Sequence, residues 1–346
     1  MKRKLKIAVL MGGKSPEHEV SVISGIEVVK SLDTRKYEVL PIVVSKDGKR
    51  WKLTGRETLL KLNNILNLKG SLKEIVLSQS KQISGVSSVS KEGVDLVFIA
   101  MHGPFGEDGK VQGMLEMAGV PYTGSGVLAS AIGMDKEIFR KLMSFHKIPI
   151  PGYVVLKKGE RYKSISKILG KLPYFIKPAA GGSSVGASLA GNSKELKASL
   201  NLAFKYDNRI LVDRYIKGRE FTCAIIGNSN PTALPVVEIK PLKGNFFDYE
   251  SKYTESGSEE IVPAEISKAI TKKIQKTAIE VYKITGCRGF GRVDFILENG
   301  KTPIVLEINT IPGLTPMSLF PKAAKAVGIS YFRLLDNIIK YAIEKD

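Results

Sequence analysis

The strongest constraint on this fold is the pair Asn299-Gly300, which separates two runs of alternating polar and apolar residues, 290–298 and 301–309. Asn-Gly is favoured at the centre of a type I′ turn because both central residues take positive φ angles. Alternation with a period of two is typical of a strand that buries one face. The stretch therefore predicts a two-stranded β-hairpin whose two faces differ in chemistry.

The register of this hairpin follows if Glu298 pairs with Lys301 across the turn. Arg292 then lies directly opposite Glu307, and Asp294 is the diagonal neighbour of Glu307, about 7 Å away at the backbone. The alternation assigns each residue to a face. One face carries Arg292, Asp294, Glu307 and Asn309, and the other carries Val293, Phe295, Leu297, Leu306 and Ile308.

Two carboxylates and an amide on one face form an oxygen-rich set that suits a hard cation, because Mg²⁺ binds oxygen ligands about 2 Å away. On this interpretation Asp294, Glu307 and Asn309 are metal ligands. The alternative is a half-exposed hairpin whose Arg/Glu pair faces water, since charged faces are usually just solvated. The hairpin by itself leaves both interpretations open.

Composition narrows the class of protein. The 346 residues are 43% hydrophobic and 25% charged, which is typical of an ordinary soluble protein with two or three domains. The basic N-terminus precedes an apolar stretch, 7–11, that is too short for a signal peptide, and no apolar run approaches the ~20 residues of a membrane span. Cys223 and Cys287 have no metal or redox spacing, so we expect the reducing cytoplasm.

The net charge of +19 invites a nucleic-acid interpretation, because so much charge attracts any polyanion. The lysines are scattered, however, and the longest basic run is 2–4. No nucleic-acid module signature accompanies them. We therefore expect a lysine-rich surface with a few lysines aimed at a nucleotide, and no nucleic-acid or membrane partner.

The first 125 residues alternate strand and helix patterns, which predicts a parallel sheet with crossover helices. The predicted strands are 7–11, 39–44 and 95–100, and the predicted helices are 19–31 and 109–118. Ligands of such sheets bind at the carboxyl ends of the strands, where the polar loops 12–19 and 101–109 lie. Glu17 and His102 in these loops also have structural interpretations, as a first-turn acid and a helix-capping histidine.

A second unit follows a predicted helix, 135–146, and a proline-rich linker, 148–152. A strand ending at Lys177 runs into a glycine- and serine-rich loop, 181–186. Such a loop offers backbone N–H groups to phosphate oxygens, and the lysine supplies a charge. The string alone is a weak signal, because such loops are often only turns.

The next predicted strands, 210–216 and 220–226, flank a break that suits the edge of an adenine, with Glu220 available for ribose hydroxyls. The segment 242–262 is polar and aperiodic, which is typical of an active-site lid. Helices are expected at 263–285, 317–327 and 330–344.

Together these segments resemble the D-alanine–D-alanine ligases of the ATP-grasp superfamily from residue 12 to about residue 328. The resemblance is carried by Gly-Gly-Lys-Ser-Pro-Glu-His-Glu-Val-Ser (12–21), His-Gly-Pro-Phe-Gly-Glu-Asp-Gly (102–109), Met-Asp-Lys (134–136), Lys-Pro (177–178), Gly-Gly-Ser-Ser-Val-Gly (181–186), Asp-Tyr-Glu-Ser-Lys-Tyr (248–253), Gly-Arg-Val-Asp-Phe (291–295) and Glu-Ile-Asn-Thr-Ile-Pro-Gly-Leu-Thr-Pro-Met-Ser-Leu (307–319). It implies an α/β fold of three domains. These are an N-terminal parallel-sheet substrate domain (1–125), a central ATP-grasp subdomain (126–217) and a C-terminal ATP-grasp subdomain with the metal site and lid (218–346).

The resemblance also implies how ATP is held. Lys136 and Lys177 would bind the α and β phosphates, and Lys252 the γ phosphate. The loop residues that would cover ATP are Gly182, Ser183, Ser184 and Val185. Adenine would contact Asp213, Arg214, Tyr215 and Ile216, while Glu220 would bind the ribose. Asp294, Glu307 and Asn309 would hold two Mg²⁺ or Mn²⁺ ions.

For the amino-acid substrate, the resemblance implies that Glu17 receives the ammonium of the first D-alanine, with His102 near its carboxylate. The second substrate and the reacting centre would be surrounded by Ser183, Tyr253, Arg292, Gly313, Ser318 and Leu319. The implied reaction phosphorylates the first carboxylate, and the second amine then displaces phosphate to give D-alanyl-D-alanine for peptidoglycan synthesis. A homodimer is expected by the same analogy.

Two residues depart from the family's pattern. Asp213 stands where a glutamate is usual, and Met317 stands where a small polar residue is common. The rivals are another ATP-grasp enzyme, such as a carboxylase, and a basic nucleic-acid-binding protein. A carboxylase would share the metal hairpin but lack the Glu17 and His102 loops and the tyrosine-containing lid.

Overall fold

The computed structural model describes residues 3–65, 81–83, 92–160, 165–182, 184–242 and 258–344. The predictions for Ser183, Lys252, Tyr253 and most of the expected lid, residues 243–257, lie outside these ranges. Three sheets organise the described residues.

The first sheet has the strand order β4-β3-β2-β1-β5. Its strands are β1 (Leu5–Gly12), β2 (Tyr37–Val44), β3 (Trp51–Leu53), β4 (Lys81–Ile83) and β5 (Leu96–Ile99). The predicted parallel sheet is present at its centre, where β1 pairs in parallel with both β2 and β5. Strands β3 and β4 extend it by antiparallel pairing, with β4 at the edge. Near-continuous apolar runs such as that of β1 are typical of strands covered on both faces.

Helices of this region are α1 (His18–Ser31), α2 (Arg56–Ile65) and α3 (Lys110–Met117). The loops after β1 and β5 lead into α1 and α3, so both predicted substrate loops lie at the same edge of the sheet.

The central region begins with α4 (Val127–Met134) and α5 (Lys136–Phe145). Its antiparallel sheet has the order β6-β9-β7-β8, built from β6 (Tyr153–Lys157), β7 (Tyr174–Pro178), β8 (Ser188–Ala190) and β9 (Arg209–Arg214). Two further helices, α6 (Ile165–Leu169) and α7 (Ser193–Ala203), contribute buried residues to the core of this sheet. Sequence reasoning missed α4 and α7.

The third sheet has the order β13-β12-β10-β14-β15, with β11 paired to β10. Its strands are β10 (Gly218–Ile226), β11 (Thr232–Ala233), β12 (Val237–Pro241), β13 (Ser258–Ile261), β14 (Phe290–Glu298) and β15 (Thr302–Asn309). Three helices complete it, α8 (Lys268–Thr285), α9 (Leu319–Lys325) and α10 (Tyr331–Ile343). The predicted start of α8 at residue 263 is wrong, because Ser267 caps the helix by accepting from Ile270 N.

The predicted hairpin is present, but its predicted register is wrong. Glu298 pairs with Thr302 rather than Lys301, and a bulge beyond Asp294 shifts the pairing by one more residue. Asp294 therefore lies directly opposite Glu307, and Arg292 lies opposite Asn309.

Relative to the predicted register, the pairing is shifted by one residue near the turn and by two residues beyond the bulge. A shift of two residues keeps the same side chains on the same face, so the acids stay on the predicted polar face. Between the turn and the bulge the shift is one residue, so the side chains of β15 there lie on the face opposite to the predicted one. Val305 is fully buried in the core, and Leu306, predicted to be a core residue, lines the cleft described below. A β-bulge explains this, because Val305 and Glu307 both pair on β14 and leave Leu306 as the extra residue.

The C-terminal residues also join the core of the first sheet. Phe290 stacks on Phe320 with ring centroids 5.6 Å apart, and both belong to the same apolar cluster as β1, β5 and α10. Leu314 is fully buried in this cluster, so the loop after β15 is anchored against the N-terminal region. The division at residues 125 and 217 stays a prediction.

Candidate active site

A cleft of about 1250 Å³, its open mouth included, lies between the central and third sheets. Thirteen residues predicted from sequence line it: Lys136, Lys177, Gly182, Ser184, Val185, Asp213, Arg214, Tyr215, Ile216, Glu220, Arg292, Asp294 and Glu307. Apolar side chains such as Phe175, Ile239 and Ile296 complete the wall. A cleft with apolar walls and a few convergent charged groups is typical of a site for a small ligand.

One part of the cleft is cationic. Lys136, the first residue of α5, donates to the carbonyl of Gly181 at 2.6 Å and lies 3.8 Å from Glu307. Lys177, the last residue but one of β7, is buried, and its Nζ lies 3.0 Å from Oδ2 of Asp213. Burial lowers the pKa of Lys177, and the carboxylate of Asp213 opposes that shift. Both ammonium groups are therefore placed to meet an anion in the cleft.

The opposite wall is built by the hairpin. Arg292 donates two hydrogen bonds of 2.8 Å to the carboxylate of Asp294, and Thr222 donates a third of 2.6 Å. Burial lowers the pKa of Arg292, but Asp294 and Glu307 outweigh that effect and hold the pKa above its ordinary value. A buried, permanently charged guanidinium in a fixed position is suited to stabilising negative charge.

The predicted metal ligands fit a divalent cation by their chemistry. Asp294 and Glu307 face each other across β14 and β15, and both line the cleft. Asn309, which pairs with Arg292, adds an amide oxygen on the same face, although that oxygen accepts from Ile311 N at 3.2 Å. The described residues hold no group of three His, Cys, Asp or Glu suited to a metal, so the third protein ligand of the predicted set is the amide of Asn309. Carboxylate and amide oxygens suit Mg²⁺ and Mn²⁺.

Glu17 lies just before α1 and is buried next to the glycine loop. A Cβ at Gly182 would lie 2.7 Å from Oε2 of Glu17, and a Cβ at Gly103 would lie 2.4 Å from the same atom. The glycine loop of the cleft, the loop after β1 and the loop after β5 therefore meet at one carboxylate. This contact joins the N-terminal region to the cleft.

His102 is buried and uses both ring nitrogens. Its Nδ1 lies 3.1 Å from the carbonyl of Ile311, and its Nε2 lies 2.9 Å from Oγ of Ser24. Because a carbonyl only accepts, Nδ1 carries the proton and Nε2 accepts from the serine. Burial lowers the pKa of His102, which keeps the ring neutral at neutral pH. In the structure this histidine ties α1 to the loop after β15.

Sequence reasoning missed Glu107, which is buried beside the same loops. Its Oε2 accepts from Gly103 N at 2.7 Å, and its Oε1 has no hydrogen-bond partner among the described residues. Burial, reinforced by the charge of Glu17, raises the pKa of Glu107 well above its ordinary value. The only signal in the sequence was its place within the motif 102–109.

Glu107→Gln is expected to stabilise the protein increasingly as pH rises. A carboxyl whose folded pKa is raised contributes stability at low pH that is lost as pH rises towards the folded value, whereas glutamine does not ionise. Urea unfolding of both proteins at several pH values above about 4.5 measures the difference. A difference in free energy of unfolding that does not change with pH would show that Glu107 ionises normally.

If Glu17 binds the amino acid that the resemblance implies, Gly103→Ala is expected to raise the KM for that amino acid by about tenfold, because the new methyl group would displace the Glu17 carboxylate. Gly119→Ala is the matched control. Gly119 has a similar positive φ, 65° against 71°, but a Cβ there meets nothing within 4 Å. The two variants share the backbone strain, so steady-state kinetics isolates the clash. Equal KM values in the two variants would contradict the placement of Glu17.

The remaining predicted residues lie after β15 and do not line the cleft. A Cβ at Gly313 would lie 2.8 Å from Oγ of Ser318, which hydrogen-bonds to Thr315 at 2.8 Å. Ser318 and Leu319 begin α9, and Leu319 packs in the core of the first sheet. Met317, one of the departures, is 71% exposed.

The chain matches known proteins over almost its whole length. Family models described as D-ala D-ala ligase N-terminus and C-terminus match residues 6–125 and 142–340. The D-alanine–D-alanine ligase of Halothermothrix orenii is 39% identical over 99% of both chains. The solved VanG D-Ala:D-Ser ligase of Enterococcus faecalis is 34% identical with a TM-score of 0.84, covering 99% of this chain and 100% of that one.

A third relative carries a nucleotide. The D-alanine–D-alanine ligase of Bacillus anthracis complexed with ATP is 32% identical with a TM-score of 0.75, over 98% and 97% of the two chains. The resemblance seen in the sequence is thereby confirmed, and with it the α/β fold class.

Proposed function

Because the chain belongs to the D-alanine–D-alanine ligase family, we propose that it joins two D-alanine molecules into D-alanyl-D-alanine, with ATP converted to ADP and phosphate, for peptidoglycan synthesis. The observation that carries this proposal is the contact of Glu17 with the glycine loop. It brings the amino-acid loops of the first sheet to the cleft that holds the two lysines and the acid hairpin.

ATP occupies the cleft in this proposal. The apolar wall and the strand end 213–216 receive the adenine, and Glu220 receives the ribose. Lys136 and Lys177 neutralise the α and β phosphates, while Gly182, Ser184 and Val185 line the cleft beside them. The roles of Ser183, Lys252 and Tyr253 remain as the family resemblance implies.

Asp294, Glu307 and Asn309 would hold Mg²⁺ or Mn²⁺, two ions by family analogy. Bound divalent ions supply charge neutralisation for the transferring phosphoryl group. The Arg292 fork keeps one carboxylate of this set in a fixed orientation before any ligand arrives.

The reaction then requires the protein to orient the substrate, neutralise phosphate charge, stabilise an oxyanion and exclude water. A carboxylate is a poor electrophile, so its oxygen takes the γ-phosphoryl group, and the acyl phosphate is attacked by the amine of the second D-alanine. Glu17 orients the first substrate through its ammonium, and the lysines offset phosphate charge. Arg292 lines the cleft and stabilises the oxyanion that forms at the attacked carbon. The glycine loop keeps water from the acyl phosphate.

His102, Gly313, Ser318 and Leu319 form the amino-acid side of the site in this proposal. The bond from His102 to Ile311 positions the loop that leads to Gly313. Among the residues that the structure describes, no helix is long and apolar enough to span a membrane. Cytoplasmic location and a homodimer remain proposals.

Product analysis tests the function. The purified protein is incubated with ATP, Mg²⁺ and D-alanine, L-alanine or D-alanine with D-serine, because one solved relative is a D-Ala:D-Ser ligase. We expect phosphate release and D-alanyl-D-alanine with D-alanine, none with L-alanine, and mainly D-alanyl-D-alanine from the mixture. Mainly D-alanyl-D-serine would reassign the second substrate, and no dipeptide at all would overturn the proposal.

A further inference from the structure

Arg140 is the largest fully buried side chain of the described residues, with no exposed surface. It lies on the buried face of α5, next to Phe139 and one turn before Met143. Burying a guanidinium costs several kcal/mol unless it is paired and hydrogen-bonded. A charge in this place therefore calls for an explanation.

The partner of Arg140 is Asp213, on the wall of the cleft. Nη2 of Arg140 donates to Oδ2 of Asp213 at 3.1 Å, and the same oxygen lies 3.0 Å from Nζ of Lys177. The two cations thus share one carboxylate oxygen. The group of three carries one excess positive charge, and of its cations only Lys177 lines the cleft.

The other carboxylate oxygen of Asp213, Oδ1, has different surroundings from Oδ2. Oδ1 is buried and has no hydrogen-bond partner among residues 3–65, 81–83, 92–160, 165–182, 184–242 and 258–344. An unpaired buried acceptor is costly, which is why native proteins pair such atoms with protein groups, water or ligand. A bound ligand that offers a donor would satisfy this oxygen.

Arg140 also reaches the acid hairpin. Its Nη1 donates to the carbonyl of Val305 at 3.4 Å, on β15 directly before the bulge and Glu307. One side chain therefore connects α5, which begins with Lys136, to the strand of Asp213 and to the strand of Glu307.

From these contacts we propose that Arg140 is a positioning residue of the nucleotide site, which selects the purine base through Asp213. The proposal rests on the ligase function proposed above. Arg140 holds Oδ2 of Asp213, and Oδ1 is then available to accept a hydrogen bond from a 6-amino group on the purine. A 6-oxo purine offers no donor at that position, so it leaves Oδ1 unpaired. Arg140 thereby reaches an acid that is one methylene shorter than the glutamate usual in the family.

Arg140→Lys tests this assignment, because lysine keeps the charge but is shorter and lacks the fork. We expect the KM for ATP to rise by about tenfold, with kcat at saturating ATP and the KM for D-alanine nearly unchanged. The preference for ATP over inosine triphosphate, its 6-oxo analogue, should fall by a similar factor. Adding Asp213→Glu to Arg140→Lys should restore part of the ATP affinity and part of the preference for ATP, because the longer acid can reach the shorter lysine.

Arg209→Lys is the matched control. Arg209 also ties β9 to α5, through bonds of 2.7 Å to Asp135 and 2.7 Å to Glu137, but it does not bond to Asp213. An effect on base preference as large as that of Arg140→Lys would show that Arg140 only holds the two elements together, and would overturn the proposal. An unchanged ATP preference in folded Arg140→Lys would also overturn it.

Calorimetric binding of ATP and inosine triphosphate separates this inference from the ligase function, because binding requires no turnover. If Arg140→Lys does not fold, Asp213→Asn provides the test. An asparagine amide donates to a 6-oxo group, so the preference for ATP should be lost or reversed. An Asp213→Asn protein that keeps the wild-type preference would overturn the proposal, whatever dipeptide the wild type makes.

Discussion

We expect Glu307→Gln to lower kcat by about two to three orders of magnitude while changing ATP affinity much less. The substitution keeps the shape and hydrogen-bonding capacity of the side chain and removes its charge. That charge lies directly opposite Asp294 and 3.8 Å from Lys136 in the cleft. Interactions that strengthen as the phosphoryl group moves affect turnover more than ground-state binding.

The measurement is kcat for phosphate release beside the dissociation constant for ATP. Glu298→Gln is the control for kcat, because Glu298 lies on the same hairpin and does not line the cleft. Its partner at 2.9 Å, Arg214, does line the cleft, so this control is compared by kcat and not by ATP affinity. An ion pair so near the surface is worth little, so its loss should change kcat by no more than about twofold. Equal kcat values for the two variants would mean that the hairpin acids serve only the fold.

We expect the second large effect from Arg292→Lys, which should reduce kcat about a hundredfold or more. Lysine keeps a positive charge but cannot reproduce the two parallel 2.8 Å bonds to Asp294. The substitution should weaken the stabilisation of the developing oxyanion and change the orientation of Asp294. We therefore expect kcat and kcat/KM for D-alanine to fall together.

Arg219→Lys is the control, because it separates a role of Arg292 in the reaction from the structural role of an ion pair with two hydrogen bonds. Arg219 makes the same kind of fork to Glu238, with bonds of 2.6 and 2.5 Å, on the neighbouring strand β10 and away from the cleft wall. Thermal unfolding of both variants reports any loss of stability. A folded Arg292→Lys protein with kcat within a few-fold of wild type would remove Arg292 from the chemistry.

The hairpin shows what the sequence could predict. Asn299 and Gly300 both take positive φ, 52° and 67°, which a type I′ turn requires and which these two residue types adopt readily. The position of the bulge could not be predicted, because Ile304-Val305-Leu306 is a run of three apolar residues that does not show which of them is the extra residue. It depends on tertiary packing, in which Val305 enters the core and its N–H bonds to the carbonyl of Pro149.

Arg140 and Glu107 were missed for a different reason. A charged residue on a helix or in a polar loop is normally exposed, so its type predicts solvent. The partner of Arg140 lies 73 residues away in the chain, and nothing local indicates that pairing. In contrast, the lysines, acids and glycine loop of the cleft were found because each carries its own chemistry, and because their order matches a family.

The most direct test of the chemistry follows an oxygen atom. D-alanine labelled with ¹⁸O in its carboxylate is supplied with ATP and Mg²⁺, and the released phosphate is examined by mass spectrometry. If the carboxylate oxygen takes the γ-phosphoryl group and the amine then displaces phosphate, one phosphate is released for each dipeptide formed. We expect that phosphate to carry one labelled oxygen. Dipeptide formation with unlabelled phosphate would contradict the acyl phosphate and the roles assigned to the cleft.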